Sequence, residues 1–276
     1  MYSQQNEKGH LQMKKYSFTG KTKVFFGVTL KQIKAKMSFG RVTKGDIGGW
    51  IEKEENLPHV PGDAWVYGDA LVYGNARVYG DALVYGNARV FDNALVYGNA
   101  RVFDNACVYG NARVYGDALV YGDAWVFDNA CVYGNACVYD NARVYDDACV
   151  YGNARVHDNA RVHDNARVNG NARVHDNACV YGNAHVYGGA HVYGGALIFD
   201  DSWDVSPLCI HGTKFSVSVS SKTIISIGCE KHTIDEWEKN GEEIGKVNGL
   251  TKSEIEEYKL YIDLCKKWME VRINNA

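Results

Sequence analysis

Arginine and histidine recur at fixed offsets in one stretch of this chain, and those side chains are the first place to look for chemistry. Arg155 and His157 reappear eighteen residues later as Arg173 and His175, in company with Arg143, Arg161, Arg167 and His163. Guanidinium and imidazole donors gathered on one surface, where aromatic stacking gives way, would suit an anion or a nucleotide. The plainer alternative is a solvated surface whose arginines pair with Asp158, Asp164 and Asp176. A second group, Cys209, His211, Cys229 and His232, supplies a C-x-H and a C-x2-H pair that could ligate zinc if their two strands met. Packing of these side chains beside a helix N-terminus is the preferred explanation, and no metal and no cofactor are assigned.

What positions these residues is a repeat. The pattern V-Y-[GD]-[ND]-A-x runs every six residues from Val60 to Trp203 in 24 units without insertion or deletion. Its first position is Val until Ile198, and its fifth is Ala until Ser202, so these two columns are expected inside. The third and fourth positions are filled by Gly, Asp and Asn, which tolerate the left-handed backbone of a tight corner. A corner after every six residues makes a triangular rod of 18-residue coils, with alanine fitting the narrow interior beside each corner and valine the middle of each wall. Eight coils at a strand spacing of about 4.8 Å give a rod roughly 38 Å long. The calcium-binding β-roll needs a nine-residue repeat, which a period of six excludes.

The second and sixth positions face outward. Tyr or Phe holds 19 of the 24 second positions, so aromatic ladders should climb the walls and stabilise the rod by cross-strand pairing. Taking every third unit puts Trp65, Leu83, Arg101, Leu119 and Cys137 on one wall, beside Tyr67, Tyr85, Phe103, Tyr121 and Tyr139. One of these ten side chains is charged, and an exposed apolar face of this extent marks a contact surface. Trp65, Tyr67, Leu83, Tyr85, Phe103, Leu119 and Tyr121 are therefore the expected binding wall, covered by a protein partner or a second copy. Arg155, His157, Arg173 and His175 form the candidate anion site further along.

The repeat resembles the hexapeptide-repeat superfamily, in which an aliphatic residue and a small residue four places on mark a left-handed parallel β-helix. The handedness is implied by this resemblance, because parallel crossovers are otherwise right-handed. The superfamily includes acyltransferases, whose catalytic histidine and projecting loop shape a cleft between subunits; no loop interrupts the 24 units here. It also includes γ-class carbonic anhydrases, whose three metal-binding histidines are shared between subunits, whereas His163, His185 and His191 fall on three different walls. The segments GDIGGWIEKEENL and IGCEKHTIDEW resemble those of phage- and prophage-associated hexapeptide-repeat proteins, which implies a bacterial host cell and a cytoplasmic setting.

An open solenoid needs both ends covered. Residues 1–59 are expected to form an N-terminal β-cap, with strand-like stretches at 23–28 and 29–36 and with Trp50 and Ile51 over the first coil. Residues 204–276 are expected to form a small α+β domain: two or three strands, a helix opening with a capping box from Thr233 to Glu236, and a second helix starting near Thr251 or Ser253. That second helix gathers Ile255, Tyr258, Ile262, Cys265 and Met269 on one face. The first residues lack the apolar core of a signal peptide, no stretch reaches the length of a membrane span, and the cysteines read as reduced thiols. Lys and Arg against Asp and Glu number 11 to 5 in the N-terminal segment, 9 to 16 in the rod and 10 to 12 in the C-terminal segment, which argues against nucleic acid lying along the rod. The expectation is a mainly β, non-enzymatic scaffold that binds a protein partner or itself. An acyltransferase acting at a subunit interface is the alternative.

Overall fold

The computed structural model describes residues 14–272. The expected absence of a signal-peptide core falls mainly on residues 1–13, outside the described residues. From Trp65 to Ile198 the chain alternates two-residue strands with four-residue corners, and within this stretch strands eighteen residues apart pair in parallel. Three flat walls result. Wall one begins at Trp65–Val66 and ends at His191–Val192, wall two includes Leu71–Val72 to Leu197–Ile198, and wall three runs from Arg77–Val78 to Ser202–Trp203. The interior is as expected: every valine and alanine of the repeat from Ala64 to Ala196 is buried, as is Ile198. The molecule is a mainly β parallel solenoid of about nine turns.

The corners show why the third position is restricted. From Gly68 to Gly194 the glycines there adopt φ of 58–70°, and Asp92, Asp104, Asp128, Asp140, Asp146, Asp158, Asp164 and Asp176 adopt φ of 56–58°. The fourth position keeps ordinary backbone in every unit before Asp201 (φ 67°) and does something the sequence did not suggest: its amides form ladders between turns. Asn75 Nδ2 donates to Asn93 Oδ1 (3.1 Å), Asn93 to Asn111 (3.3 Å) and Asn111 to Asn129 (3.0 Å), and a second corner carries Asn135 to Asn153 and Asn153 to Asn171 (both 3.2 Å).

At the N-terminus, Tyr16–Phe25 and Val28–Ala35 form an antiparallel hairpin that pairs with Ile47–Ile51. That third strand joins the solenoid itself, because Trp50 and Ile51 pair in parallel with Leu71 and Val72. It supplies the ninth rung of wall two, where the repeat alone predicts eight coils. Gly48 permits this approach: a Cβ there would come within 2.6 Å of Ile33 and 2.7 Å of Trp65. Asn56 closes wall three, its buried amide donating to the carbonyls of Gly74 (3.1 Å) and Ala76 (2.8 Å) as a further strand would. Val60, expected inside, is 38% exposed, so the interior columns start at Ala64.

The register slips at the other end. Ser202 pairs with His185 and Trp203 with Val186, so the last turn is one residue short; Ser202 is exposed, and Trp203 fills the interior column. Tryptophan there plugs the open end, with its Nε1 donating to Asp200 O (2.8 Å). Beyond it lies a four-stranded antiparallel sheet of Cys209–His211, Ser216–Val219, Ile224–Ile227 and Glu230–Thr233, one strand more than expected. It is tied to the last rung by Leu197 N to Ser218 Oγ (3.2 Å) and Phe199 N to Ser220 O (3.2 Å). Helices α1 (Ile234–Val247) and α2 (Lys252–Arg272) follow. The capping box at Thr233 and Glu236 forms as expected, and α2 buries Ile255, Tyr258, Ile262, Cys265 and Met269. No helix among the described residues is long and apolar enough to cross a membrane.

Candidate functional site

Wall one carries both candidate surfaces. In its upper half the outward side chains form two columns. Tyr85, Phe103, Tyr121 and Tyr139 stack with ring centroids 4.7–4.9 Å apart and planes within 3° of parallel. Leu83, Arg101, Leu119 and Cys137 stand in register beside them. Trp65 is a correction to the expected wall. It is fully buried, because the N-terminal segment folds over it: its ring meets Phe39 (5.5 Å), Tyr16 (6.2 Å) and Tyr67 (6.4 Å). The accessible surface therefore starts at Tyr67 and Leu83, where Arg41 and Arg101 border a shallow cleft with Tyr85. Stacking half-buries every ring of this ladder and leaves the ring edges outward.

In the lower half, Arg155 and Arg173 are register partners, and His157 lies directly against His175 with centroids 5.0 Å apart. The structure thus brings the four expected anion-site residues together, but two premises about them fail. The histidines do not break the ladder: His157 stacks on Tyr139 (4.7 Å), and His163 stacks between Tyr145 (4.8 Å) and Tyr181 (5.3 Å). Nor do the arginines pair with the corner carboxylates. Those belong to the histidines, at 2.9 Å for His157–Asp158, 3.4 Å for His163–Asp164 and 3.3 Å for His175–Asp176. Imidazole at the second position reaches the aspartate one residue on, whereas arginine at the sixth position points to the opposite side of the wall. Among the described residues, Arg155, Arg161, Arg167 and Arg173 form no ion pair.

The same corners fix the aspartates. Gly182 and Gly194 N–H groups donate to Asp164 and Asp176 (2.9 and 3.0 Å), which holds both carboxyls below the usual aspartate range, with the adjacent imidazoles reinforcing the effect. Two such corners, His157–Asp158–His175 and Asp146–His163–Asp164, each bring three potential ligand atoms within 4.8 Å of one another. Those atoms are already engaged in the stacked, hydrogen-bonded ladder. The C-terminal Cys and His residues, by contrast, stay apart: Cys209 and His211 lie on one edge strand of the four-stranded sheet, while His232 lies on the other. His232 instead meets Glu230 (3.3 Å) and the edge of Trp237.

On wall three, Asn169 interrupts an otherwise regular ladder from Tyr79 to Tyr151. Its Oδ1 lies 3.3 Å from His185 Nε2. Replacing Asn169 with tyrosine should restore contacts to Tyr151 and Tyr187 and raise stability by roughly 0.4–2 kcal/mol, at about 0.2–1 kcal/mol for each cross-strand pair. Urea unfolding of Asn169→Tyr beside the parent reads this directly. The sequence reading also passed over the outer face of α2, where Leu260 (69%), Leu264 (49%) and Val271 (65%) are exposed. Their i, i+4, i+11 spacing was the available signal.

These features define a class of protein: a parallel β-solenoid built on a six-residue repeat, capped at both ends. A family model described as the YdcK beta solenoid repeat matches ten overlapping stretches, which together cover residues 64–127 and 148–176. Within the first block most of the stretches begin six residues apart, in step with the corners. No curated protein matches the chain.

Proposed function

We propose that this protein is a non-enzymatic rigid scaffold that uses wall one to hold a protein partner or a second copy of itself. The observation that carries this reading is the uniformity of the rod. Every connection from Trp65 to Ile198 is a four-residue corner, so the outward side chains form flat surfaces with no projecting loop to build a cleft. Wall one divides into an apolar half, with Tyr67, Leu83, Tyr85, Phe103, Leu119 and Tyr121, and a cationic half, with Arg155 and Arg173 beside His157 and His175. A partner carrying an apolar strip next to acidic groups complements both halves.

The rod is further proposed to be a left-handed β-helix of the hexapeptide type, of phage or prophage origin, working in the cytoplasm of a bacterial host. The resemblance of the repeat and of its flanking segments GDIGGWIEKEENL and IGCEKHTIDEW supports that reading. It separates from the acyltransferase alternative by titration with acetyl-CoA, read calorimetrically and combined with light scattering at several protein concentrations. The scaffold reading expects no heat of binding at any oligomeric state. A trimer that binds acetyl-CoA would replace it with the enzyme.

A further inference from the structure

Five cysteines occupy the sixth position of the repeat, where Arg, Leu, His and Trp also occur, and the sequence alone makes them equivalent. The winding does not. Cys107 and Cys179 stand on wall two with Trp125, Arg143 and Arg161 between them, and Cys137 stands on wall one between Leu119 and Arg155. Of the five, only Cys131 and Cys149 are direct neighbours, paired Cα to Cα on successive rungs of wall three. Arg113 precedes them and Arg167 follows them in the same column. Cys131 and Cys149 are both free and half-buried, and each Sγ leans toward the carbonyl two residues earlier, Asn129 O at 3.7 Å and Asp147 O at 3.8 Å. The two thiols therefore point the same way, one above the other.

We propose that Cys131 and Cys149 form a two-coordinate site for a soft, thiophilic monovalent cation such as Cu(I), with Arg113 and Arg167 balancing the charge of the complex. Magnitudes favour a bridging ion over a disulfide. Side chains on neighbouring parallel strands repeat at about 4.8 Å, and two metal–thiolate bonds of about 2.3 Å placed end to end span about 4.6 Å. A disulfide needs its Cβ atoms about 3.8 Å apart, so it would pull two rungs together by about 1 Å in a wall whose spacing the turns on either side hold fixed. Thiolates select soft metals, Cu(I) and zinc among them, and structural zinc sites take four ligands, which leaves Cu(I) as the better match to two. Loading converts Cu⁺ and two thiols into an anionic dithiolate complex and releases two protons, with no change in oxidation state. The resulting negative charge sits between two guanidinium groups. Only the first ionisation is eased: the S–H of Cys149, opposed by burial and assisted by Arg113, draws the Cys131 thiol down to about 7, while the Cys149 thiol, pushed up by its neighbour and by burial, gives up its proton only as the cation binds.

The test is anaerobic titration of the reduced, intact protein with Cu(I), in competition with the chromophoric chelator bicinchoninate. One Cu(I) per chain should be held at least about 100-fold more tightly than by Cys131→Ser or Cys149→Ser, the gain expected of two linked ligands over one. Cys137→Ser should retain the full affinity. If either single variant competes as well as the parent, or if Cys137→Ser loses as much affinity, the site is not this pair. Should serine disturb the fold, as thermal melting would show, Cys131→Leu serves instead, because Leu95 already occupies the same column of wall three.

Discussion

Val120→Asp is expected to destabilise the solenoid by more than about 4 kcal/mol, while Leu119→Asp, one residue away, costs about 1 kcal/mol or less. Val120 is fully buried and stacks in an interior column between Val102 and Val138. The interior around it is valine and alanine, so a carboxylate would find no donor and must either protonate or break the rung. Leu119 faces outward between Arg101 and Cys137, where a carboxylate stays hydrated close to a guanidinium. In a repeat rod, each turn is stabilised by its two neighbours. Amide exchange in Val120→Asp should therefore lose protection first in the turns next to Val120. Equal losses of stability in the two variants, read by urea denaturation, would mean that the inside and outside of the prism are wrongly assigned.

The second large effect is expected at the N-terminal end. Trp65→Ala should cost about 3–5 kcal/mol, the range for truncating a fully buried large aromatic side chain. Trp65 is where the N-terminal segment and the first rung of wall one meet, and Tyr16, Phe39 and Tyr67 all pack on its ring. Its Nε1 finds no acceptor among the described residues. Phenylalanine should therefore be tolerated far better than alanine, since it keeps most of the packing and removes an unsatisfied donor. A Trp65→Ala protein with the parent's denaturation midpoint would show that the cap is not seated on this residue.

How far the fold could be read in advance depends on which interactions are local. A strict period of six sets an 18-residue turn, and from Val66 to Ile198 the register follows it without exception. The capping box at Thr233 and the buried face of α2 depend on spacings of three and four residues, and both form as expected. What escaped prediction depends on contacts distant in sequence. Ile47–Ile51 becomes a rung although it lacks the repeat, because Gly48 lets it lie against Trp65 and Ile33. Trp65 fits the outward pattern of the repeat and is buried because Phe39 and Tyr16, 26 and 49 positions earlier, fold over it. Trp203 leaves its column because the last corner is one residue short, although the six-residue spacing of the sequence continues through it.

The candidate surfaces followed the same division. The periodicity placed the right residues on wall one, including the register of Arg155 with Arg173 and the stacking of His157 over His175. It misplaced the charge pairs, since the arginines were expected to meet Asp158, Asp164 and Asp176 and the adjacent histidines do so instead. Histidine sits next to the corner and takes the carboxylate, and among the described residues Arg155, Arg161, Arg167 and Arg173 form no ion pair. The cysteine pair on wall three shows the opposite case. Its adjacency was present in the repeat all along and becomes visible only when the residues are sorted by wall.

The most direct test of the scaffold account is quantitative capture from bacterial lysate supplemented with untagged copies of the protein, using the intact chain as bait. The same capture is run with Leu83→Asp combined with Leu119→Asp, after thermal melting has shown that this variant is folded. Wall one predicts that the parent retains a protein in stoichiometric amount, either a host component or the untagged copy, and that the variant loses it. Recovery of the same proteins in the same amounts by both baits would contradict wall one as the binding surface.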